Sequence, residues 1–206
     1  MKDKELELYQ LPDYILSSDR VLMRPPLLSD WVEWRRVRGA NKNFLTPFEG
    51  VWPESCLSGE FYKMRLRHQV EEWKAEQKNF FLIFKKDEDG VMHGSDGARE
   101  LIGGMNINDI TRGIAQFASL GYWISQDYEG QGYMSEALHL TIKYCFEFVK
   151  LHRIHASCLL HNERSRKLLL RFGFKEEGLA EKYLQVNGRW QDHVLFGLPI
   201  ENWHGG

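Results

Sequence analysis

The chain has 206 residues, 27 of them basic and 29 acidic, for a formal net charge of -2. That length suits one domain with a full hydrophobic core. The near-balanced charge gives no global field for nucleic acid, so recognition of a phosphate has to be local and direct nucleic-acid binding is not expected. Cys56, Cys145 and Cys158 have no metal-like spacing and read as the small hydrophobes of a reducing compartment. The charged opening Met1 to Glu5 and the absence of a long apolar run predict a cytoplasmic protein without a membrane span.

In chain order, Arg20-Val21-Leu22-Met23-Arg24 alternates like a strand, and Ser29-Asp30 is placed to cap a helix through Trp31, Trp34 and Val37. Asn43 to Gly59 mixes Pro47, Gly50 and Pro53 with Phe44, Phe48 and Trp52, which predicts a loop carrying aromatic side chains, a candidate substrate wall. Helical spacing from Phe61 to Lys78 leads into a buried strand, Asn79 to Phe84. The polar run 85–99 predicts a long mobile hairpin loop before the strand Leu101 to Ile107. A second hairpin, through Asn108-Asp109 and Arg112-Gly113, returns as the strand Phe117 to Ile124.

From there the order is helix, strand, helix, strand, strand. Tyr133 to Val149 predicts a central buried helix, its stripe of Met134, Leu138, Thr141, Cys145 and Phe148 widened by Ile142 and Phe146. Arg153 to Leu159 reads as a strand, and Asn162 caps a helix that runs to Phe172 and stops at Gly173. Asn187-Gly188 marks a two-residue hairpin between Tyr183-Leu184-Gln185-Val186 and Trp190 to Leu198. One domain over 1–206 is expected, with 1–18 as an N-terminal extension.

Chemistry concentrates at two places. Glu129-Gly130-Gln131-Gly132-Tyr133-Met134 joins an apolar strand to a long helix, and such a glycine joint offers unpaired N–H groups and a helix dipole to an anion. An ordinary glycine-softened turn would use the same residues. Downstream, Asn162-Glu163-Arg164-Ser165 opens a helix that closes on Gly173-Phe174-Lys175-Glu176-Glu177-Gly178. Asn162 also suits a plain N-cap, and Ser165 first-turn support for it.

These motifs together resemble the GNAT acyl-CoA N-acyltransferases, and Asp192-His193 with Trp190 after Asn187-Gly188 resemble their RimJ/RimL group of ribosomal-protein N-terminal acetyltransferases. The resemblance runs from Arg20 to Leu198, most closely from Leu120 onward. It implies an α/β fold, with a central, splayed mixed sheet flanked by helices, and acetyl-CoA as cosubstrate without a metal. Pyrophosphate would lie on Gly130, Gln131, Gly132, Tyr133 and Met134. The pantetheine arm would pass between Trp123-Ile124 and the next strand. The Ile124 N–H would hold the thioester oxyanion, Asn162 the pantetheine amide, and Ser165 the leaving sulfur. Against the family loop pattern Gln/Arg-x-x-Gly-x-Gly/Ala, the first and last positions depart, as Glu129 and Met134. Glu129 brings a negative charge that has to point away from phosphate.

The acceptor side departs further. RimL-like enzymes carry a glutamate before the tyrosine aligned with Tyr183, where this chain has Lys182. Glu181 is one residue off, and on a regular strand its side chain faces the other way unless a bulge intervenes. Glu181, Asp109 and a water on the carbonyl of Asn106 are the candidate bases, in that order, with Tyr183 and Trp190 as candidate substrate contacts. A lysine amine is about 2.5 pKa units more basic than a protein α-amine, roughly 3.5 kcal/mol that a base must supply. A weakened base therefore points to the N-terminal α-amine of a protein, in this resemblance a ribosomal protein. Acetylation of a small amine and a CoA-binding assembly factor without turnover are the alternatives. His152, His155, His161 and His193 have no metal-ligand spacing. Trp31 and Trp34 suit packing, Trp52 and Trp190 a peptide groove, with core packing the default for each.

Overall fold

The computed structural model describes residues 7–86 and 100–205. One sheet of eight strands runs through them in the order β1-β2-β3-β4-β5-β6-β8-β7. The strands are β1 (Leu16–Ser17), β2 (Val21–Arg24), β3 (Asn79–Lys85), β4 (Glu100–Thr111), β5 (Phe117–Ile124), β6 (Arg153–Leu159), β7 (Lys175–Val186) and β8 (Arg189–Pro199). Every pairing is antiparallel except β5 with β6. The helices are α1 (Trp31–Ala40), α2 (Lys42–Leu45), α3 (Gly59–Lys74), α4 (Tyr133–Lys143) and α5 (Glu163–Arg171). Strand β3 is apolar without alternation because helices cover the sheet centre on both faces; Phe80 to Phe84 are all buried. Ahead of the edge strand β1, Leu11 is buried in the core and Tyr14 stacks on Trp73 at 6.3 Å.

Four local expectations need correction. Asp30 does not cap α1 with its side chain; its carboxylate takes the Arg24 guanidinium at 2.7 and 2.6 Å and the Leu27 N–H at 2.7 Å, a charged fork outbidding a neutral cap. The aromatic segment from Asn43 begins helical, as α2 and a 3₁₀ turn at Thr46–Phe48, since Pro47 fits a helical first turn as well as it breaks a helix, and only Glu49 to Ser58 is the expected loop. The helix from Tyr133 turns into a π segment at Tyr144–Phe148. The wider turn rotates Phe148 out to 65 % exposure and brings Tyr144 into the core against Phe81. Strand β4 runs on to Thr111 through a register irregularity, with Asp109 at φ +54°, so Asn108-Asp109 is a bulge rather than the turn. The loop expected at 85–99 falls, from 87 onward, outside the described residues.

The feature that places the site is the separation of β5 from β6. Their parallel pairing runs from Phe117↔Arg153 to Leu120↔Ala156 and stops. Beyond that point Gly121 to Ile124 stay on β4, while Ser157 to Leu159 stay on β8. A wedge opens between two strands that each keep one partner.

Candidate active site

The glycine joint stands at the wide end of the wedge. Gly130 and Gly132 have φ of +73° and +89°, left-handed values open to glycine, and Gly132 is the N-cap of α4. Ser135 and Glu136 donate back to the Gly132 carbonyl at 3.0 and 3.2 Å. Among the described residues, no backbone N–H from Gly130 through Met134 reaches a protein acceptor. A run of free donors at a helix N-terminus is an anion cradle, and it fits a pyrophosphate. Arg20, on the turn before β2, braces it by donating to the Gln131 carbonyl at 3.2 Å and to Glu136 at 2.6 Å, with its guanidinium 4.8 Å from the Tyr133 ring centroid. Glu129, the unfavourable charge in the sequence, is paired with Arg164 in the first turn of α5.

Inside the wedge, Ser125 N–H donates to the Ile102 carbonyl at 2.7 Å, and Ile124 sits opposite Gly103. Alternation along an antiparallel ladder turns the Ile124 N–H away from β4, toward the side that β6 has left. Trp123 and Tyr122 project to opposite faces. Asn162 accepts the Ser165 N–H at 3.2 Å through Oδ1, the N-cap geometry, and its Nδ2 has no partner among the described residues. Ser165 Oγ lies 2.7 Å from Tyr122 Oη, so α5 and β5 meet across the wedge through two hydroxyls. Burial pushes the Tyr122 phenol up to about 12 against the opposing pull of Ser165. The Cys158 thiol is buried and pushed up to about 11, chiefly by burial. Both groups are protonated at neutral pH.

The acceptor-side candidates are more scattered. Asn106 lies opposite Gly121, the first β5 residue past the end of β6 pairing. Asp109 accepts from Ser119 Oγ at 3.0 Å, beside the part of β5 that is still closed on β6. In β7 the register slips between Ala180 and Leu184, Lys182 takes φ +46°, and its N–H donates to Asp192 Oδ1 at 2.8 Å. The bulge that Glu181 requires is therefore present, and Glu181 is exposed within it. The Tyr183 ring contacts buried His193 at 5.8 Å, and Trp190, 61 % exposed, stands by the hairpin turn rather than in the core. Among the described residues, no group of three or more His, Cys, Asp or Glu is arranged to hold a metal.

Sequence reasoning passed over three residues. Tyr122 was one apolar letter in a strand, although a buried phenol needs a partner for its hydroxyl. Arg20 is a strand-edge cation whose role depends on a contact more than a hundred residues away. Arg38 breaks the apolar face that Trp34 and Val37 give α1; it is buried, with its guanidinium 4.9 Å from the Trp123 ring and 4.3 Å from Trp52.

A splayed β5/β6 pair, a glycine cradle at the N-terminus of α4 and a hydroxyl beside the gap are the parts that an acyl-CoA site requires. The chain belongs to the GNAT acetyltransferase family, whose domain model matches residues 20–175. It is 36 % identical over 198 residues to the [ribosomal protein uS5]-alanine N-acetyltransferase of Escherichia coli, covering 95 % of this chain and 96 % of the relative. Among solved structures it is similar to the ribosomal-protein-S5-alanine acetyltransferase of Vibrio fischeri, with a TM-score of 0.80 and 30 % identity over 93 % of this chain and 99 % of the other. Mycobacterium smegmatis RimJ in complex with CoA-disulfide matches with a TM-score of 0.79 and 29 % identity over 93 % and 87 % of the two chains. The chain is an acetyl-CoA-dependent N-acetyltransferase.

Proposed function

We propose that the protein acetylates the N-terminal α-amine of a ribosomal protein by direct attack within a ternary complex. The observation that carries this reading is end-to-end similarity, at 36 % identity, to an enzyme named for acetylating the alanine of a ribosomal protein. The neutral amine attacks the thioester carbon, and the carbonyl oxygen becomes an oxyanion held by the Ile124 N–H. Collapse breaks the C–S bond; the thiolate takes a proton from Ser165 Oγ, Tyr122 Oη passes its own to Ser165 across 2.7 Å, and solvent water returns a proton to Tyr122 as CoA leaves. The proton leaving the nitrogen passes to Glu181 through the β7 bulge, or to Asp109 or a water on the Asn106 carbonyl. Pyrophosphate rests on Gly130, Gln131, Gly132, Tyr133 and Met134 with Arg20 alongside, and the pantetheine amide meets Asn162 beside Trp123. Tyr183 and Trp190 border the incoming chain.

The test is incubation of unacetylated ribosomal proteins with this enzyme and isotopically labelled acetyl-CoA, followed by intact-protein and N-terminal peptide mass measurement. Label on the α-amine of one or a few proteins is expected. Label confined to small amines would overturn the reading.

A further inference from the structure

A cleft of about 240 Å³ lies between α1, α3 and the segment from Glu49 to Pro53, and two arginines, Arg38 and Arg65, line it. Their surroundings leave them short of negative charge. Glu49 gives both carboxylate oxygens to Arg38, at 2.7 and 2.5 Å, and also accepts Trp52 Nε1 at 2.8 Å. Arg65 has no carboxylate partner among the described residues and rests over the Trp34 ring at 5.3 Å. Arg38 Nε is buried without a hydrogen-bond partner. Burial first, and the charge of Arg38 second, hold Arg65 below the ordinary guanidinium value, although a guanidinium remains charged at any working pH. Two cations and one carboxylate in a partly desolvated cleft leave an excess positive charge that an incoming anion would compensate.

The cleft is coupled to the acetyl site on two sides. Arg38 stacks on Trp123, the residue before Ile124. Asn41, which follows α1, donates to Ser125 Oγ at 3.0 Å and accepts the Gln126 N–H at 2.7 Å, fixing α1 to the end of β5. The Glu49 carbonyl accepts the Asn187 N–H at 2.8 Å, and Phe48 packs on His161 beside Asn162, so the cleft wall is docked on the β7–β8 turn and the start of α5. We propose that this cleft selects acceptor polypeptides carrying an Asp or Glu side chain a few residues after the acetylated N-terminus, the carboxylate seating against Arg65 and Arg38 between the Trp34 and Trp52 rings. An extended chain advances about 3.3 Å per residue, so moving the acidic residue along the acceptor moves its carboxylate stepwise away from the acetylated amine. Planar bidentate recognition of carboxylate is the task for which arginine is suited.

The proposal rests on the polypeptide-acceptor reading, and its test separates the two. Decapeptides with a small N-terminal residue carry a single Glu moved through about five successive positions, each paired with its Gln counterpart; kcat and KM are measured at saturating acetyl-CoA. Binding of the same peptides in the presence of CoA is measured by calorimetry. At one position the Glu peptide should win by about tenfold or more in kcat/KM, mostly through KM, and by a similar factor in affinity. Arg65→Gln should erase that preference, and Arg65→Lys, which keeps the charge but loses the fork, should reduce it; the second variant carries the test if the first does not fold. Acetylation of all peptides without any Glu preference, or a preference that survives Arg65→Gln, overturns the cleft assignment and leaves N-terminal acetylation standing. Glu-dependent binding that needs Arg65, without acetylation of any peptide, supports the cleft and removes the acceptor reading.

Discussion

Tyr122 Oη and Ser165 Oγ, 43 residues apart in sequence, lie 2.7 Å from each other across the gap where β5 and β6 part. Ser165 is thereby bonded to a buried phenol that rests protonated near neutral pH and can pass its proton on when Ser165 gives one up. Ser165→Ala should lower kcat by about tenfold to a hundredfold while leaving the KM for acetyl-CoA within a few-fold, because its bond to sulfur strengthens only as charge develops there. Tyr122→Phe should cost about tenfold in kcat, and the double variant should be no slower than Ser165→Ala alone, the non-additivity of groups acting in series. Additive losses would assign Tyr122 to packing.

The anion cradle makes a separate prediction about binding. Gly132 has φ +89°, and a Cβ there would stand 3.0 Å from Arg20 Nη2. Gly132→Asp adds strain and a charge facing phosphate, so CoA affinity by calorimetry should fall at least a hundredfold. Arg20→Ala, which removes a brace and a nearby cation, should weaken CoA by about tenfold with little change in kcat. Undiminished CoA binding in Gly132→Asp would displace the site from this loop.

Much of this was legible in the chain because local chemistry determined it. Asn187-Gly188 forms the two-residue turn with φ of +46° and +77°, and Asn162 caps α5 while Gly173 at φ +83° ends it. Periodicity did not disclose the π turn after Lys143, since the extra residue shows only when a downstream side chain is seen on the wrong face, as Phe148 is. Residues whose meaning is set by distant partners were illegible for a different reason. Arg38 acquires its role from Glu49, Trp52 and Trp123, and a helical pattern reports only that a charge interrupts an apolar stripe. Glu181 is intermediate: the need for a bulge could be read, but the bulge depends on Asp192 reaching the Lys182 N–H.

The pH profile separates substrate-supplied from enzyme-supplied deprotonation. With a peptide acceptor, kcat/KM should rise with pH and level near the α-amine value of about 8. Tyr122 and Cys158, raised to about 12 and 11, keep their protons through that range, so no descending limb from either should appear below about pH 10. Glu181→Gln should then cost less than about fivefold, because the amine arrives neutral and its proton, lost only after attack, can pass to Asp109 or to water instead. A collapse of about a hundredfold or more with binding intact would make Glu181 the general base, acting through the β7 bulge.

One stability prediction follows from the wall of the wedge. A Cβ on Gly103 would lie 2.6 Å from the backbone carbonyl oxygen of Trp123, an atom fixed by the β4–β5 ladder. Gly103→Ala should destabilise the protein by about 1–3 kcal/mol in denaturant unfolding. Unchanged stability would mean that β4 and β5 separate more easily at this point than their pairing implies.

The most direct test of the central claim is site-resolved mass spectrometry of a peptide with a small N-terminal residue and an internal lysine, incubated with enzyme and acetyl-CoA. A single acetyl group on the α-amine, formed with an equivalent of free CoA and suppressed in Ser165→Ala, is the expected result. Acetylation of the lysine ε-amine in preference to the N-terminus, or no acetylated peptide from any such sequence while CoA still binds, would contradict it.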